Sequence, residues 1–174
     1  MRFTQLTTGV LLSLAVGAAA VDVELLFNGC TLGGSATCVG LNPNQCCYVP
    51  GALNLWGVNF RAMPSEWNLE LRFHRAQGES NQCGDIIIKV PSKGSNFQCL
   101  GTMHGDGGGA GYGFLNWKRE DQPEQPCQQA NLLTTEDGVV YDLDGLSEKQ
   151  IVELVGYMGA NSTGFPGHFD RYRI

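Results

Sequence analysis

The stretch Trp67-Asn68-Leu69-Glu70-Leu71-Arg72-Phe73-His74-Arg75 decides the fold class of this chain. Its apolar residues alternate with polar or charged ones, so Leu69, Leu71 and Phe73 share one face of an extended segment with Trp67. A period of two residues is typical of a strand with one buried face. The pattern therefore predicts a half-buried antiparallel strand.

Shorter apolar runs surround this stretch and are separated by Gly, Pro and Asn. The run at residues 53–60 also alternates, but its phase shifts at Trp56-Gly57, which predicts a bulge. Further strand candidates are residues 21–27, 85–90, 97–103, 112–117 and 139–143. Many short strands at this spacing predict a mainly β fold, namely a disulfide-stapled β-sandwich or small barrel with one C-terminal α-helix.

That helix is predicted near residues 148–158. Ser147 and Gln150 have the spacing of a capping box at its start. One apolar stripe follows and consists of Ile151, Leu154, Val155 and Met158. We expect the helix to pack against a sheet through this stripe.

The N-terminal residues have the pattern of a secretory leader. Met1-Arg2 supplies a positive start, residues 10–16 are apolar, and Ala18-Ala19-Ala20 is a small-residue cleavage site. The sequence thus predicts a signal peptide at residues 1–20 and a single secreted domain at residues 21–174. No later stretch approaches the roughly 18 apolar residues that a membrane span requires, so the expected location is extracellular, without a membrane span.

Seven cysteines follow the leader: Cys30, Cys38, Cys46, Cys47, Cys83, Cys99 and Cys127. In an exported chain they are candidates for a disulfide framework rather than for catalytic thiols. Three bonds leave one sulfur over. That thiol could be buried, capped or paired with a second chain, so both a monomer and a cysteine-linked dimer stay open, as does the connectivity.

The charge balance bears on the class of partner. Seventeen acidic residues stand against eleven Lys and Arg, which gives a formal net charge of −6. An acidic chain is a poor binder of nucleic acid, so no nucleic-acid partner is expected. No cofactor motif is present, and we expect no cofactor. Asn161-Ser162-Thr163 makes Asn161 a candidate for N-glycosylation.

The glycine-rich stretch at residues 104–113 is the most suggestive candidate for a catalytic site. It partly resembles the His-Gly oxyanion loop of lipases, in which backbone N–H groups face a developing negative charge. However, no Gly-x-Ser-x-Gly nucleophile motif occurs in the chain. We therefore expect a turn with several positive φ angles, and keep a small secreted hydrolase with its site at this loop as an alternative.

Two His-x-Asp pairs are candidates for a metal site. They are His104 with Asp106 and His168 with Asp170. Each pair could offer an imidazole and a carboxylate to a divalent cation if the fold brought the two pairs together. Two such pairs also arise easily by chance in a chain of this size, so we expect surface histidines beside turns and no metal site.

The cysteine spacing resembles that of a known class of proteins. Cys30, Cys38 and Cys46-Cys47 are followed by Val58-x-Phe60-x-x-x-Pro64-x-x-Trp67, Cys83, Cys99-Leu100, Gly111-Tyr112-Gly113-Phe114, Cys127-Gln128 and the capped helix. This series resembles the small secreted cysteine-rich proteins of filamentous ascomycete fungi, a group that includes candidate effectors. The resemblance implies secretion, disulfides and action on a host, a competitor or a cell wall, and it transfers no catalytic residue.

The function expected from these observations is therefore non-catalytic. The chain should be a secreted effector-like, toxin-like or cell-wall or host-surface binding protein with an extracellular ligand. The alternatives are the hydrolase at residues 104–113 and a structural wall protein that oligomerises through the odd cysteine.

Overall fold

A computed structural model describes residues 20–31, 33–115, 127–159 and 165–174. The signal peptide predicted at residues 1–20, apart from Ala20, and the glycosylation candidate Asn161 lie outside these ranges. The described strands are β1 (Val21–Leu26), β2 (Ser35–Leu41), β3 (Cys46–Tyr48), β4 (Gly57–Arg61), β5 (Leu69–Arg75), β6 (Ile86–Pro91), β7 (Gln98–Gly101), β8 (Gly107–Phe114), β9 (Gln128–Gln129), β10 (Leu132–Thr134) and β11 (Val140–Asp142). Helix α1 (Glu148–Gly159) and a 3-10 helix (Gly167–Tyr172) follow.

The strands form two sheets. One has the order β11-β10-β2-β1-β4-β7 and the other has the order β6-β5-β8-β3-β9. Apolar residues of both sheets belong to one buried cluster, which includes Leu25 and Phe60 from the first sheet and Leu71 and Tyr112 from the second. The Tyr112 hydroxyl donates to the Leu41 carbonyl oxygen at 2.8 Å and links the sheets. The predicted mainly β, disulfide-stapled fold with a C-terminal helix is confirmed.

Residues 69–75 of the alternating stretch form β5, as predicted, whereas Trp67 lies before the strand and is only partly buried. Leu69, Leu71 and Phe73 are 0% exposed, and β5 pairs antiparallel with both β6 and β8. On its outer face, Glu70 lies between Arg72 Nε at 2.8 Å and Lys89 Nζ at 2.7 Å. The period of two therefore separates the core from a charged outer face.

The glycine-rich stretch is not the turn that its composition suggests. Residues 107–114 form β8, an internal strand of the five-stranded sheet. Within residues 104–113 only Gly105 has a positive φ, at 58°. The physical reason is close packing: a Cβ at Gly109 would lie 2.7 Å from the Cys47 carbonyl oxygen and 2.9 Å from the sulfurs of Cys46 and Cys83. The glycines make room for their neighbours rather than for a sharp bend.

The C-terminal helix confirms the sequence prediction. At its start the Ser147 N–H donates to Gln150 Oε1 at 3.0 Å, and the Ser147 hydroxyl donates to the same oxygen at 2.7 Å. Ile151 and Leu154 are fully buried. The Met158 side chain packs against Gly34, next to β2, so the helix covers one end of the six-stranded sheet.

Candidate binding surface

The cysteines provide the frame on which any functional surface rests. Three disulfides join Cys30 to Cys99, Cys38 to Cys47 and Cys46 to Cys83. Cys127 is free and exposed. The adjacent residues Cys46 and Cys47 point to opposite faces of β3. Cys47 is bonded to Cys38 of β2 in the other sheet, whereas Cys46 is bonded to Cys83 in the loop before β6. Six of the seven predicted candidates are therefore structural disulfide partners.

An exposed tryptophan lies where three segments of the six-stranded sheet meet. Trp56, immediately before β4, is 44% exposed. The backbone N–H of Trp56 donates to the Leu26 carbonyl oxygen at 3.1 Å, and the Trp56 carbonyl oxygen accepts from the Thr102 N–H at 2.9 Å. The backbone of this residue is thus fixed on both sides. Neither the spacing nor the phase of residues 53–60 indicated that the indole would be displayed.

The loop that follows β7 packs against this indole. A Cβ at Gly105 would lie 2.6 Å from Trp56 Cε2 and 2.8 Å from Trp56 Nε1, so the glycine backbone touches the ring. The positive φ of Gly105, 58°, also favours glycine at this position. The Gly105 N–H donates to Thr102 Oγ1 at 3.0 Å and closes the loop. The loop therefore packs against one side of the indole.

Two further exposed side chains extend this area. Met103 is 90% exposed and His104 is also exposed. We call Trp56, Met103 and His104 the Trp56 surface. The disulfide Cys30–Cys99 packs beside this surface, since Cys30 Sγ lies 3.6 Å from the position of a Cβ at Gly101, the residue before Thr102. An aromatic ring and a flexible thioether on a rigid support are suited to binding.

Asp106 is engaged elsewhere and does not form an acid–base pair with His104. Arg75 donates to Asp106 Oδ2 from Nη2 at 2.8 Å and from Nε at 3.1 Å. These hydrogen bonds, together with the charge of Arg75, lower the pKa of Asp106 below its ordinary value. An ionised carboxylate held by a guanidinium has no proton to donate at neutral pH. Sequence reasoning missed Arg75, which comes from the neighbouring strand.

The two His-x-Asp pairs are not gathered into one site. His168 Nε2 lies 3.7 Å from Glu153 Oε1, and Asp170 Oδ1 lies 3.5 Å from Arg173 Nη1. Within the described ranges, the one group of three or more His, Cys, Asp or Glu ligand atoms within 4.8 Å of one another consists of Cys46, Cys83 and Cys127. The first two of these sulfurs are bonded to each other. In the described part of the chain, the donors at residues 104, 106, 168 and 170 are thus not among the ligand atoms that the fold groups together.

The outer face of the five-stranded sheet is polar and internally paired. Burial alone would raise the pKa of Glu70, but hydrogen bonds from Lys89 and Arg72 outweigh that effect and lower it. His74 lies on the polar face of β5, but it is half-buried, and its Nδ1 lies 2.8 Å from the Gly84 carbonyl oxygen. Burial lowers the pKa of His74. The charges of Glu70, Arg72 and Lys89 on this face are thus paired with one another.

Comparison with known proteins gives one family. The family model ARB_05566_N, described as an N-terminal domain, matches residues 22–131. No curated protein and no solved structure matches the chain. Among the described residues, no helix has the length and apolar character to cross a membrane. The matched range contains all seven cysteines and the Trp56 surface.

Proposed function

The chain belongs to the ARB_05566_N family, and because the family's domain covers the cysteines and the Trp56 surface, we propose that this domain is an exported, non-catalytic binding module. Its ligand is a polysaccharide of a cell wall or host surface. The effector-like or toxin-like character expected from the sequence belongs to the same proposal, since such proteins act through extracellular contacts.

Export is supported by the disulfides and by the start of the fold. Disulfides persist in oxidising, extracellular environments, and this domain has three. β1 begins at Val21, the first residue after the predicted cleavage site, and Val21 is already fully buried. A mature chain that starts at Val21 would keep every strand of both sheets described here.

The observation that carries the binding proposal is the fixed, exposed Trp56. An indole presents a flat apolar face with one N–H at its edge. A pyranose ring has the complementary form, with an apolar face of C–H groups and a rim of hydroxyls. Because the backbone hydrogen bonds and the contact with Gly105 already hold the indole in place, little conformational entropy is lost on binding.

We would test the proposal with insoluble polysaccharides. Mature protein is incubated with chitin, β-1,3-glucan or cellulose, and the Kd is obtained from depletion of the supernatant. We expect retention on at least one of these, and Trp56→Ala should weaken it about tenfold or more, as loss of a central aromatic contact does. Phe97→Ala is the matched control, because Phe97 is 50% exposed but lies at the far end of β7. Equal binding by Trp56→Ala and wild type, or no retention on any polysaccharide, would contradict the proposal.

A second candidate function is favoured by the free, exposed Cys127. Through this thiol two chains could be linked covalently, as expected for a structural wall protein. The intact mass of protein taken from culture medium, with and without reduction after free thiols are blocked, separates the two functions. A monomer that begins at Val21 supports the binding module. A reducible dimer that disappears in Cys127→Ser supports the wall protein.

The hydrolase alternative has weaker support, since Arg75 engages the carboxylate of Asp106. The proposed binding module has no step that uses His104 or Asp106 as an acid or base.

A further inference from the structure

Three sulfur atoms lie together at the surface of the five-stranded sheet. The Sγ atoms of Cys46, Cys83 and Cys127 are all within 4.8 Å of one another. Cys46 and Cys83 form a disulfide, whereas Cys127 is free and exposed. A thiol this close to a disulfide can react with it by thiol–disulfide exchange. This chemistry is independent of the proposed binding function.

The strand pairing shows which sulfur Cys127 can bond. β9 runs parallel to β3, with Cys47 opposite Gln128 and Tyr48 opposite Gln129. One residue earlier on both strands, Cys46 lies beside Cys127. Neighbouring strands are about 4.8 Å apart, which falls within the Cα separation of about 4.4–6.8 Å that a disulfide spans. Cys46 is therefore the natural alternative partner of Cys127.

We propose that these three cysteines form a thiol–disulfide exchange site. The thiolate of Cys127 attacks Cys46 Sγ, the Cys46–Cys127 bond forms, and the Cys46–Cys83 bond breaks. Cys83 leaves as a thiolate and takes a proton from water, while the proton lost by Cys127 goes to water. One disulfide and one thiol are present before and after the step, so neither an oxidant nor a reductant is required.

The fold tolerates release of Cys83. The loop that carries Cys83 is closed by other bonds, since the Arg75 N–H donates to the Asp85 carbonyl oxygen at 2.8 Å and the Gly84 N–H donates to the Arg75 carbonyl oxygen at 3.1 Å. His74 Nδ1 lies 2.8 Å from the Gly84 carbonyl oxygen as well. The loop between β5 and β6 keeps its backbone contacts when the sulfur is freed.

The partner strand is also held independently of the disulfide. The Ala130 N–H donates to the Tyr48 carbonyl oxygen at 2.7 Å, next to the β3–β9 ladder. Exchange therefore moves the reactive thiol from the start of β9 to the loop before β6, and both locations remain part of the folded domain.

The rate of exchange should increase with pH. Although Cys127 as a residue is exposed, its thiol is partly desolvated, and this raises its pKa. Burial raises the pKa of Tyr48 in β3, and the charges of Glu148 in α1 and of the Cys127 thiolate raise it further. Because the thiolate is the nucleophile, each unit of pH below the pKa should raise the rate about tenfold.

Disulfide mapping of the wild-type chain tests the proposal. Mature protein is kept at pH 5 or at pH 8.5 without reductant, then denatured and treated with N-ethylmaleimide at pH 5, digested and analysed by mass spectrometry. We expect a Cys46–Cys127 cross-link and labelled Cys83 to accumulate at pH 8.5 at a rate independent of protein concentration. Label on Cys127 alone after long incubation would overturn the proposal, as would a Cys83–Cys127 cross-link.

Two variants sharpen the test. Cys83→Ser should form the Cys46–Cys127 bond on oxidation and leave no thiol for N-ethylmaleimide, whereas Cys127→Ser should keep the Cys46–Cys83 bond and show no exchange. A folded Cys83→Ser chain that takes up two equivalents of N-ethylmaleimide after air oxidation would contradict the proposed geometry. If Cys83→Ser does not fold, the wild-type map decides.

Discussion

At the scale of single residues, several side chains of the candidate site contact residues that are distant in sequence. The alternation at residues 67–75 predicted the faces of Leu69 and Phe73 because it is a local property. The pairing of Asp106 with Arg75 and the packing of Gly105 on Trp56 join residues that are far apart in the chain. Composition alone could identify the histidine and aspartate but not the arginine that engages the latter.

Gly109 allows a residue-scale prediction. We expect Gly109→Ala to lower the free energy of unfolding by about 1–3 kcal/mol, since the new methyl group would overlap Cys47 and the Cys46–Cys83 disulfide. Gly156→Ala is the control of opposite sign, because nothing lies within 4 Å of its Cβ position. In helix α1 that change should stabilise the protein by about 0.5–1 kcal/mol. Urea unfolding of both variants measures the difference, and equal destabilisation would contradict the packing argument.

At the scale of elements, local signals were sufficient for the helix and for strands with a clear alternation or apolar run, such as β5 and β1. A cap and an apolar stripe are contained within a few residues, so α1 could be predicted. The strands β3, β9 and β10 were missed because each has only two or three residues. β2 was also missed, although it has seven residues. The pairing of β3 with β8 and of β2 with β10 joins residues far apart in sequence. Most of β8 was interpreted as a turn, since glycine favours turns unless close neighbours require it, although the strand predicted at residues 112–117 overlaps the last three residues of β8.

The helix cap gives an element-scale prediction. Gln150→Ala removes the acceptor of both hydrogen bonds from Ser147. We expect the free energy of unfolding to fall by about 0.5–1 kcal/mol. Lys149→Ala, an exposed neighbour in the same turn, should change it by less. Chemical denaturation followed by circular dichroism distinguishes the two, and equal values for both variants would argue against a role for the cap.

At the scale of the whole molecule, the disulfides tie distant segments into one cooperative unit. Cys30 and Cys99 enclose the longest loop of the three, with a sequence separation of 69. In the chain-entropy account, a cross-link stabilises the fold by restricting the unfolded chain, and more so for longer loops. Seven cysteines after a predicted signal peptide were sufficient to predict a disulfide framework. Which cysteines bond to one another could be determined only from the three-dimensional structure.

The double variant Cys30→Ala/Cys99→Ala should therefore be clearly less stable than wild type. For a loop of this length we expect a loss of about 4 kcal/mol in the free energy of unfolding. Cys127→Ala is the control, since it breaks no bond, and it should unfold close to the wild-type midpoint. Guanidinium titration under non-reducing conditions measures both. An unchanged midpoint for the double variant would show that this bond does not contribute to stability.

The opposite directions of Cys46 and Cys47 on β3 also constrain oxidative folding. Moving β3 by one position relative to β8 would turn each sulfur to the wrong side, so that neither Cys38 nor Cys83 could be reached. The two disulfides thus fix the register of β3, a strand of only three residues that forms few ladder hydrogen bonds. Exchange from Cys83 to Cys127 leaves this register fixed, because Cys46 is disulfide-bonded on the same face of β3 in either isomer.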